Sequence, residues 1–275
     1  MHRVLKDFVK KTLKRHNIAV THHNNLERLR NDFDRLTDSS NITNNNIDLI
    51  LQLPDQHSSR LLRALRISKS QLGQDLYVLS KLDFKRGGFF VEFGATNGID
   101  LSNTYLLEKE FGWKGILAEP AKRWHEGLRN NRPGPVETDC VWSDSTSTLP
   151  FNEVDTGELS TIAFYGSSDG HAEKRKQGKT YNVKTISLED LLDKYHAPKE
   201  IDYLSIDTEG SEFQILSNFD FDRYEIKLIT CEHNFTPTRE IIYSLLTQNG
   251  YVREFEELSR WDDWYVRTDR NMLHR

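Results

Sequence analysis

The sequence predicts an α/β fold: a doubly wound, mostly parallel seven-stranded sheet with an antiparallel terminal hairpin, preceded by a helical N-terminal extension. Three observations lead there. From Ser70 onward, short apolar runs alternate with helical periods, the pattern of a parallel sheet covered on both faces. The first run turns through glycines towards a helix, and the next run ends on an acid. The last two runs are joined by a connection too short for a right-handed crossover, so they pair antiparallel.

The elements follow in order. Strand runs fall at 89–93, 115–119, 136–142, 203–206, 227–231, 251–255 and 264–267. Helical patterns fall at 103–110, 121–130, 188–195, 212–216 and 238–248, and Gly250 stops the last one. Phe89, Phe90, Val91, Glu92 and Phe93 lead into Gly94, Ala95, Thr96, Asn97 and Gly98, and the second strand ends at Glu119-Pro120. This is one βαβ unit with glycines at its first turn and a carboxylate at the tip of its second strand, an arrangement that binds nucleoside-containing cofactors. The Glu119 carboxylate can accept two hydrogen bonds from a ribose diol. Missing Cβ atoms at Gly94 and Gly98 would let a cofactor touch the backbone. The turn is looser than the three-glycine turn that cradles a pyrophosphate on a helix N-terminus. It suits an uncharged or cationic tail such as a sulfonium amino acid. The competing explanation is that the glycines only make a tight strand–helix turn.

Residues 1–67 differ from the rest and form the predicted extension; residues 68–275 form the main domain. Val4, Leu5, Phe8, Val9 and Leu13 recur at helical spacing opposite Arg3, Lys6, Lys10, Lys11, Lys14 and Arg15. Such a basic amphipathic helix docks on the domain or on a second subunit, or lies on an anionic membrane surface. The polar stretch 39–46 reads as a linker. Residues 143–182 show no helix period, contain Gly157, Gly166, Gly170 and Gly178, and read as a substrate-covering insertion. Its Phe151, Phe164 and Tyr165 suit either stacking on a sugar or ordinary packing.

Composition narrows the function. The 275 residues carry a net charge of −5 and a mean hydropathy of −0.67. An acidic balance argues against a general nucleic-acid binder. No apolar run is long enough to span a membrane, and the N-terminus lacks a signal-peptide core. The two cysteines, Cys140 and Cys231, sit in strand runs and read as buried free thiols of a reducing compartment. The expected location is cytoplasmic, with a peripheral membrane contact only through the first helix. Asn41-Ile42-Thr43 and Asn234-Phe235-Thr236 match glycosylation sequons, which matter only in a secreted protein.

A second acidic constellation lies further along. The run 201–206 leads straight into Asp207, Thr208, Glu209, Gly210, Ser211 and Glu212, and the next strand ends in Glu232, His233 and Asn234. If both strands run parallel to the Glu92 strand, these groups meet at one carboxyl edge, where open α/β sheets bind ligands. Three explanations stand together. His233 or Glu209 takes a proton from a substrate hydroxyl. Asp207, Glu232 and His233 hold Mg²⁺ or another divalent cation. Or Glu209 and Glu212 merely complement a helix N-terminus.

Taken together these segments resemble the FkbM-type methyltransferases, S-adenosylmethionine-dependent enzymes with the class I, Rossmann-like methyltransferase fold. The resemblance rests on Ser70-Gln71-Leu72-Gly73-Gln74-Asp75, Val91 to Gly98, Leu101 to Thr104, Gly112 to Pro120, Asp202 to Glu212, and Glu232-His233-Asn234. It covers residues 68–267, and its most specific piece is Asp207-x-Glu209-Gly210-x-Glu212. It implies that Glu92, Gly94, Ala95, Asn97, Gly98 and Asn103 build the first cofactor motif and that Glu119 holds the ribose. Asp139, or the Cys140 backbone, would sit near the adenine, Gln74 would fold over the methionine end, and Asp207 would lie beside the reacting methyl. Asp207, Glu209 and His233 are the implied catalytic set. Related sugar O-methyltransferases hold Mg²⁺ at these two strand ends, although here the second end is Glu232-His233 and not two aspartates. The expectation is methyl transfer to a hydroxyl, of a sugar in a glycan or its precursor, by analogy with the family. The partners are then a small-molecule methyl donor and a glycan acceptor, with no nucleic acid. Two other classes are a nicotinamide oxidoreductase, which the missing third close glycine disfavours, and a non-catalytic glycan-binding protein.

Overall fold

The structure is a computed structural model and describes residues 44–155, 157–166 and 172–268. The basic amphipathic stretch 4–13 and the sequon at Asn41 lie outside these. Residues Asn46–Arg275 form one compact unit; of the other, Met1–Asn45, only residues 44 and 45 are described. Residues 44–52 are helical, so the described part of the expected linker is the start of a helix. The reason is tertiary: Leu49, Ile50 and Leu53 are buried and outweigh the local polar composition. They share a core with the helices Ser58–Leu65 and Gln74–Lys81 and with Phe90 of the first strand, so the apolar core begins well before residue 68.

The central sheet contains β1 (Phe89–Phe93), β2 (Lys114–Ala118), β3 (Val136–Glu137), β8 (Glu200–Ile206), β9 (Glu225–Glu232), β10 (Tyr251–Glu254) and β11 (Asp262–Arg267). Its order is β10-β11-β9-β8-β1-β2-β3. β3, β2, β1, β8 and β9 are parallel neighbours. β11 inserts between β9 and β10, antiparallel to both. This is the seven-stranded, mostly parallel sheet with a closing hairpin that the resemblance implies. Chain order reverses at β1, with β2 on one side and β8 on the other, which opens a crevice at the carboxyl ends.

Both faces of the sheet are buried, and side chains alternate between them. Val91 and Phe93 join Leu204, Ile206 and Ile229 in one core, whereas Phe90 joins Leu117, Tyr203 and Leu228 in the other. Glu92 therefore points towards the Phe90 side of the sheet.

Two expected segments come out differently. The run 136–142 is not one strand. Glu137 Oε1 accepts the N–H groups of Thr138 (2.8 Å) and Asp139 (3.0 Å), and this turn sends the chain out of the central sheet. The chain resumes as β4 (Cys140–Trp142) in a second, four-stranded sheet of order β4-β7-β5-β6. The described part of the stretch 143–182 is thus not irregular: it holds β5 (Thr148–Glu153), β6 (Thr161–Ile162) and the start of β7 (Lys179–Ser187). Pro150 is tolerated inside β5 because β6 pairs only with Phe151 and Asn152, leaving Pro150 open on that side. Among the described residues, no helix is long and apolar enough to cross a membrane.

Candidate active site

A cavity of about 440 Å³ opens at the carboxyl ends of β1, β2, β8 and β9 and is walled on one side by the four-stranded sheet. That size lies within the range of small-molecule sites, about 300–1,000 Å³. From the expected set it is lined by Gly94, Glu119, Asp207, Glu209 and Glu232. Each of Gly94, Glu119 and Asp207 is the first residue after a strand, where a side chain can project over the sheet edge. The two acidic segments do converge on one rim.

Glu119 forms one end. Its Oε2 accepts the Thr96 N–H (2.9 Å) and its Oε1 the Ala121 N–H (2.8 Å), which fixes the carboxylate against the turn after β1. Each oxygen keeps a lone pair. Burial pushes this carboxyl up to about 7, against the pull of the two N–H groups. Gly94 has φ +72°, and a Cβ there would lie 2.1 Å from the Asp207 carbonyl oxygen. Its missing side chain therefore serves the close approach of the β1 and β8 ends, and any benefit to a ligand is secondary.

Asp207 and Glu232 form the other end. Both are pushed upward by burial, Asp207 to about 7 and Glu232 well above the ordinary carboxylate range, with Asp207 and Glu209 adding repulsion at Glu232. A hydrogen bond between the two offsets part of the shift at Asp207. Two carboxyls this close retain a proton between them near neutral pH. Glu209, with φ +59°, is held by a buried ion pair to Arg175 Nη2 (2.7 Å) and by Asn234 Nδ2 (3.2 Å). The Glu209 carbonyl accepts from Thr161 Oγ1 (2.8 Å), and Arg175 Nε donates to the Leu159 carbonyl (2.8 Å). The acid loop and the four-stranded sheet are thereby tied together.

The other expected site residues stand behind the cavity surface, each for a visible reason. Glu92 faces the helix layer: it accepts from Ser102 Oγ (3.0 Å), the Asn103 N–H (2.7 Å) and Thr104 Oγ1 and so fastens the loop after the glycine turn. Asn103 donates to Ser205 Oγ (2.9 Å), and Ala95 is packed in the core. Asn97 accepts the Ile99 and Asp100 N–H groups in its own turn. A Cβ on Gly98 would meet Leu128 and Arg132, 2.6 Å away, so packing and not a ligand requires glycine there. Asp139 does not line the cavity, whereas Cys140 and Val141 do. Gln74 bonds Asp262 Oδ2 (2.7 Å) and the Leu72 N–H (2.9 Å), and its neighbour Gln71 reaches the lining instead.

His233 is not among the residues that line the cavity, and its ring nitrogens face Phe235 and Asp263. Its Nδ1 accepts the Phe235 N–H at 2.9 Å, which puts the ring proton on Nε2, 3.8 Å from Asp263. Burial lowers its pKa, keeping it neutral. The group of side chains that could converge on a cation is Asp207, Glu209 and Glu232, with ligand atoms within 4.8 Å of one another.

Two arginines matter that the sequence reading missed. Arg132, 2% exposed, donates to Glu108 (2.6 Å), the Gly98 carbonyl (3.0 Å), Ser102 Oγ (3.2 Å) and Thr104 Oγ1 (3.0 Å). It clamps the loop that Glu92 holds from the other side. Arg175 does the same for Glu209. Both partners lie far off in sequence, and no local pattern announces either.

No match is found among curated proteins. By structure the chain is similar to a methyltransferase FkbM from Methylobacillus flagellatus KT, with 15% identity, a TM-score of 0.46, and coverage of 82% of this chain and 58% of that one. This chain thus spans less than two thirds of that protein's length. It is also similar to a precorrin-6y C5,15-methyltransferase from Geobacter metallireducens GS-15, with 12% identity, a TM-score of 0.37, and coverage of 70% and 85%. In sequence, residues 92–257 match the Methyltransferase FkbM domain. That match runs from inside β1 to beyond β10, more than half of the chain and every strand end that frames the cavity: the chain belongs to the FkbM methyltransferase family.

Proposed function

We propose that the protein transfers a methyl group from S-adenosylmethionine to a hydroxyl, of a sugar in a glycan or its precursor. The observation that carries this reading is the pairing of two unlike carboxyl sites across one cavity, Glu119 at one end and Asp207–Glu232 at the other. The residues fit the donor. Glu119 offers lone pairs to a ribose diol, Cys140 and Val141 offer an apolar wall for a base, and the acids suit a cationic sulfonium and ammonium. Bound there, the donor supplies an already activated methyl, so the chain's own task is alignment and proton removal. Alignment contributes several kcal/mol of barrier reduction, up to about 7–11 in the best intramolecular cases. Asp207, poised at about 7 and hydrogen-bonded to Glu232, is the base that accepts the hydroxyl proton. Phe151, residues 157–160 and Ile162 supply the wall that excludes water.

Calorimetric titration of the full chain tests the donor reading: S-adenosylmethionine and S-adenosylhomocysteine bind, and NAD does not. The opposite order would favour the oxidoreductase. A divalent cation on Asp207, Glu209 and Glu232 is a second reading, favoured by the convergence of their oxygens. Mg²⁺ there would have to share Glu209 with Arg175. Activity that survives exhaustive chelation ends it.

A further inference from the structure

We infer that the cavity mouth beside Asp207 is a subsite for an electrically neutral sugar ring stacked on Phe235, and that phosphorylated and nucleotide-linked sugars are rejected. The inference rests on the methyl-transfer reading and narrows its acceptor.

Phe235 lines the cavity yet is 70% exposed. It has φ +56° and follows Asn234 at φ +44°. Two consecutive side-chain-bearing residues in left-handed backbone are costly, and such strain persists only where the surroundings impose it. Here they do. The Phe235 N–H donates to His233 Nδ1 (2.9 Å), the Thr236 N–H to the His233 carbonyl (2.8 Å), and the His233 and Asn234 N–H groups to the Trp261 carbonyl (2.8 and 3.2 Å). The ring stands edge-on to His233 with centroids 5.3 Å apart. A largely exposed aromatic ring thus stands at the mouth on a backbone held by four hydrogen bonds. Leu101, also at positive φ (+62°) and 38% exposed, lines the same cavity.

The charges select what this platform can take. Glu119, Glu158, Asp207, Glu209 and Glu232 line the cavity, and among its described lining residues none is Lys, Arg or His. The nearby guanidinium of Arg175 is already bonded to Glu209. A phosphate at this mouth would meet a ring of carboxyl groups and no cationic side chain among the described lining residues. A neutral pyranose suits the site: its C–H face covers Phe235, and its hydroxyls bond Gln71, Asn234 and the acids, one of them aimed at Asp207.

The test uses the full chain saturated with S-adenosylmethionine. Release of S-adenosylhomocysteine is measured with methyl glycosides of the common hexoses, and with the 1-phosphates and UDP conjugates of the same sugars. At least one glycoside is turned over, and its phosphate and UDP forms react slower by about a hundredfold or more. Phe235→Ala raises KM for that glycoside about tenfold, and Phe235→Tyr restores it. Donor affinity, measured by calorimetry, is retained in both variants and reports that they are folded. Equal turnover of charged and neutral forms overturns the inference, as does an unchanged KM in Phe235→Ala. If the donor binds but no glycoside reacts, the sugar subsite is wrong and the donor reading stands. If the donor itself does not bind, the underlying reading fails.

Discussion

The two ends of the cavity solve the problem of a buried carboxyl in opposite ways. Glu119 is held by backbone: two N–H groups fix its carboxylate, and no side chain is hydrogen-bonded to that carboxylate among the described contacts. Asp207 and Glu232 are held by each other, amid further acids and with a guanidinium one residue away on Glu209. The first arrangement keeps an acceptor in a fixed direction, which suits recognition of a neutral diol. The second keeps a proton mobile between two oxygens near neutral pH, which suits chemistry. On the proposed reading, similar burial serves binding in one place and chemistry in the other, and the partners make the difference.

Substitution separates the two. Asp207→Asn removes the proton acceptor with little change in shape; the rate at saturating donor falls about 10²- to 10⁴-fold. Donor affinity, read by calorimetry, shifts much less. A variant with full turnover would strip Asp207 of its role. Glu119→Gln has the smaller and complementary effect. It loses charge-assisted acceptance and leaves either Thr96 or Ala121 without its partner. Donor Kd rises about tenfold to a hundredfold, the equivalent of 1.5–3 kcal/mol, while the rate at saturation stays within a few-fold. Equal losses of rate in both variants would erase the contrast.

The weakest expected effect is on pH dependence. Glu119 and Asp207 have folded values of about 7 against ordinary values of 4.5 and 3.8, and Asp262 reaches about 8. Between the ordinary and the raised values, the folded chain holds protons that the unfolded chain has released. Stability is therefore highest below that window and falls as pH rises through it, by at most about 1.4 kcal/mol per pH unit and group. The lowered values of His125 and His233 act in the opposite sense near pH 6, but they are fewer. Thermal midpoints measured from pH 5.5 to 8 should decline in the free protein, and Glu119→Gln should flatten part of that slope. Donor affinity should rise over the same range as the acids ionise. A midpoint that climbs with pH would contradict the burial of these carboxyls.

Much of this arrangement was legible in the sequence because the central sheet is buried on both faces. Its strands are dense apolar runs, and the first residue past each run, Gly94, Glu119 or Asp207, is the one that reaches the cavity. Glu92, by contrast, lies inside its strand and faces the segment of Ser102, Asn103 and Thr104. His233 follows the last residue of β9, and its role depends on a turn that only tertiary contacts fix. The four-stranded sheet was not legible because β5 and β7 carry Thr, Lys and Asn where an apolar run would stand, with a proline inside one of them. Arg132 and Arg175 escaped because their partners come from distant segments.

The turn at Glu137 has a consequence for how such enzymes can diverge. Two strands that a continuous apolar run would have merged are assigned to different sheets by one carboxylate capping two amides. Everything from β5 to the start of β7 then hangs on the far side of that joint. Lengthening or replacing this hairpin region would reshape the chamber's roof while Gly94 and Glu119 stay in place, so new acceptors could be accommodated without rebuilding the end of the cavity proposed to hold the donor.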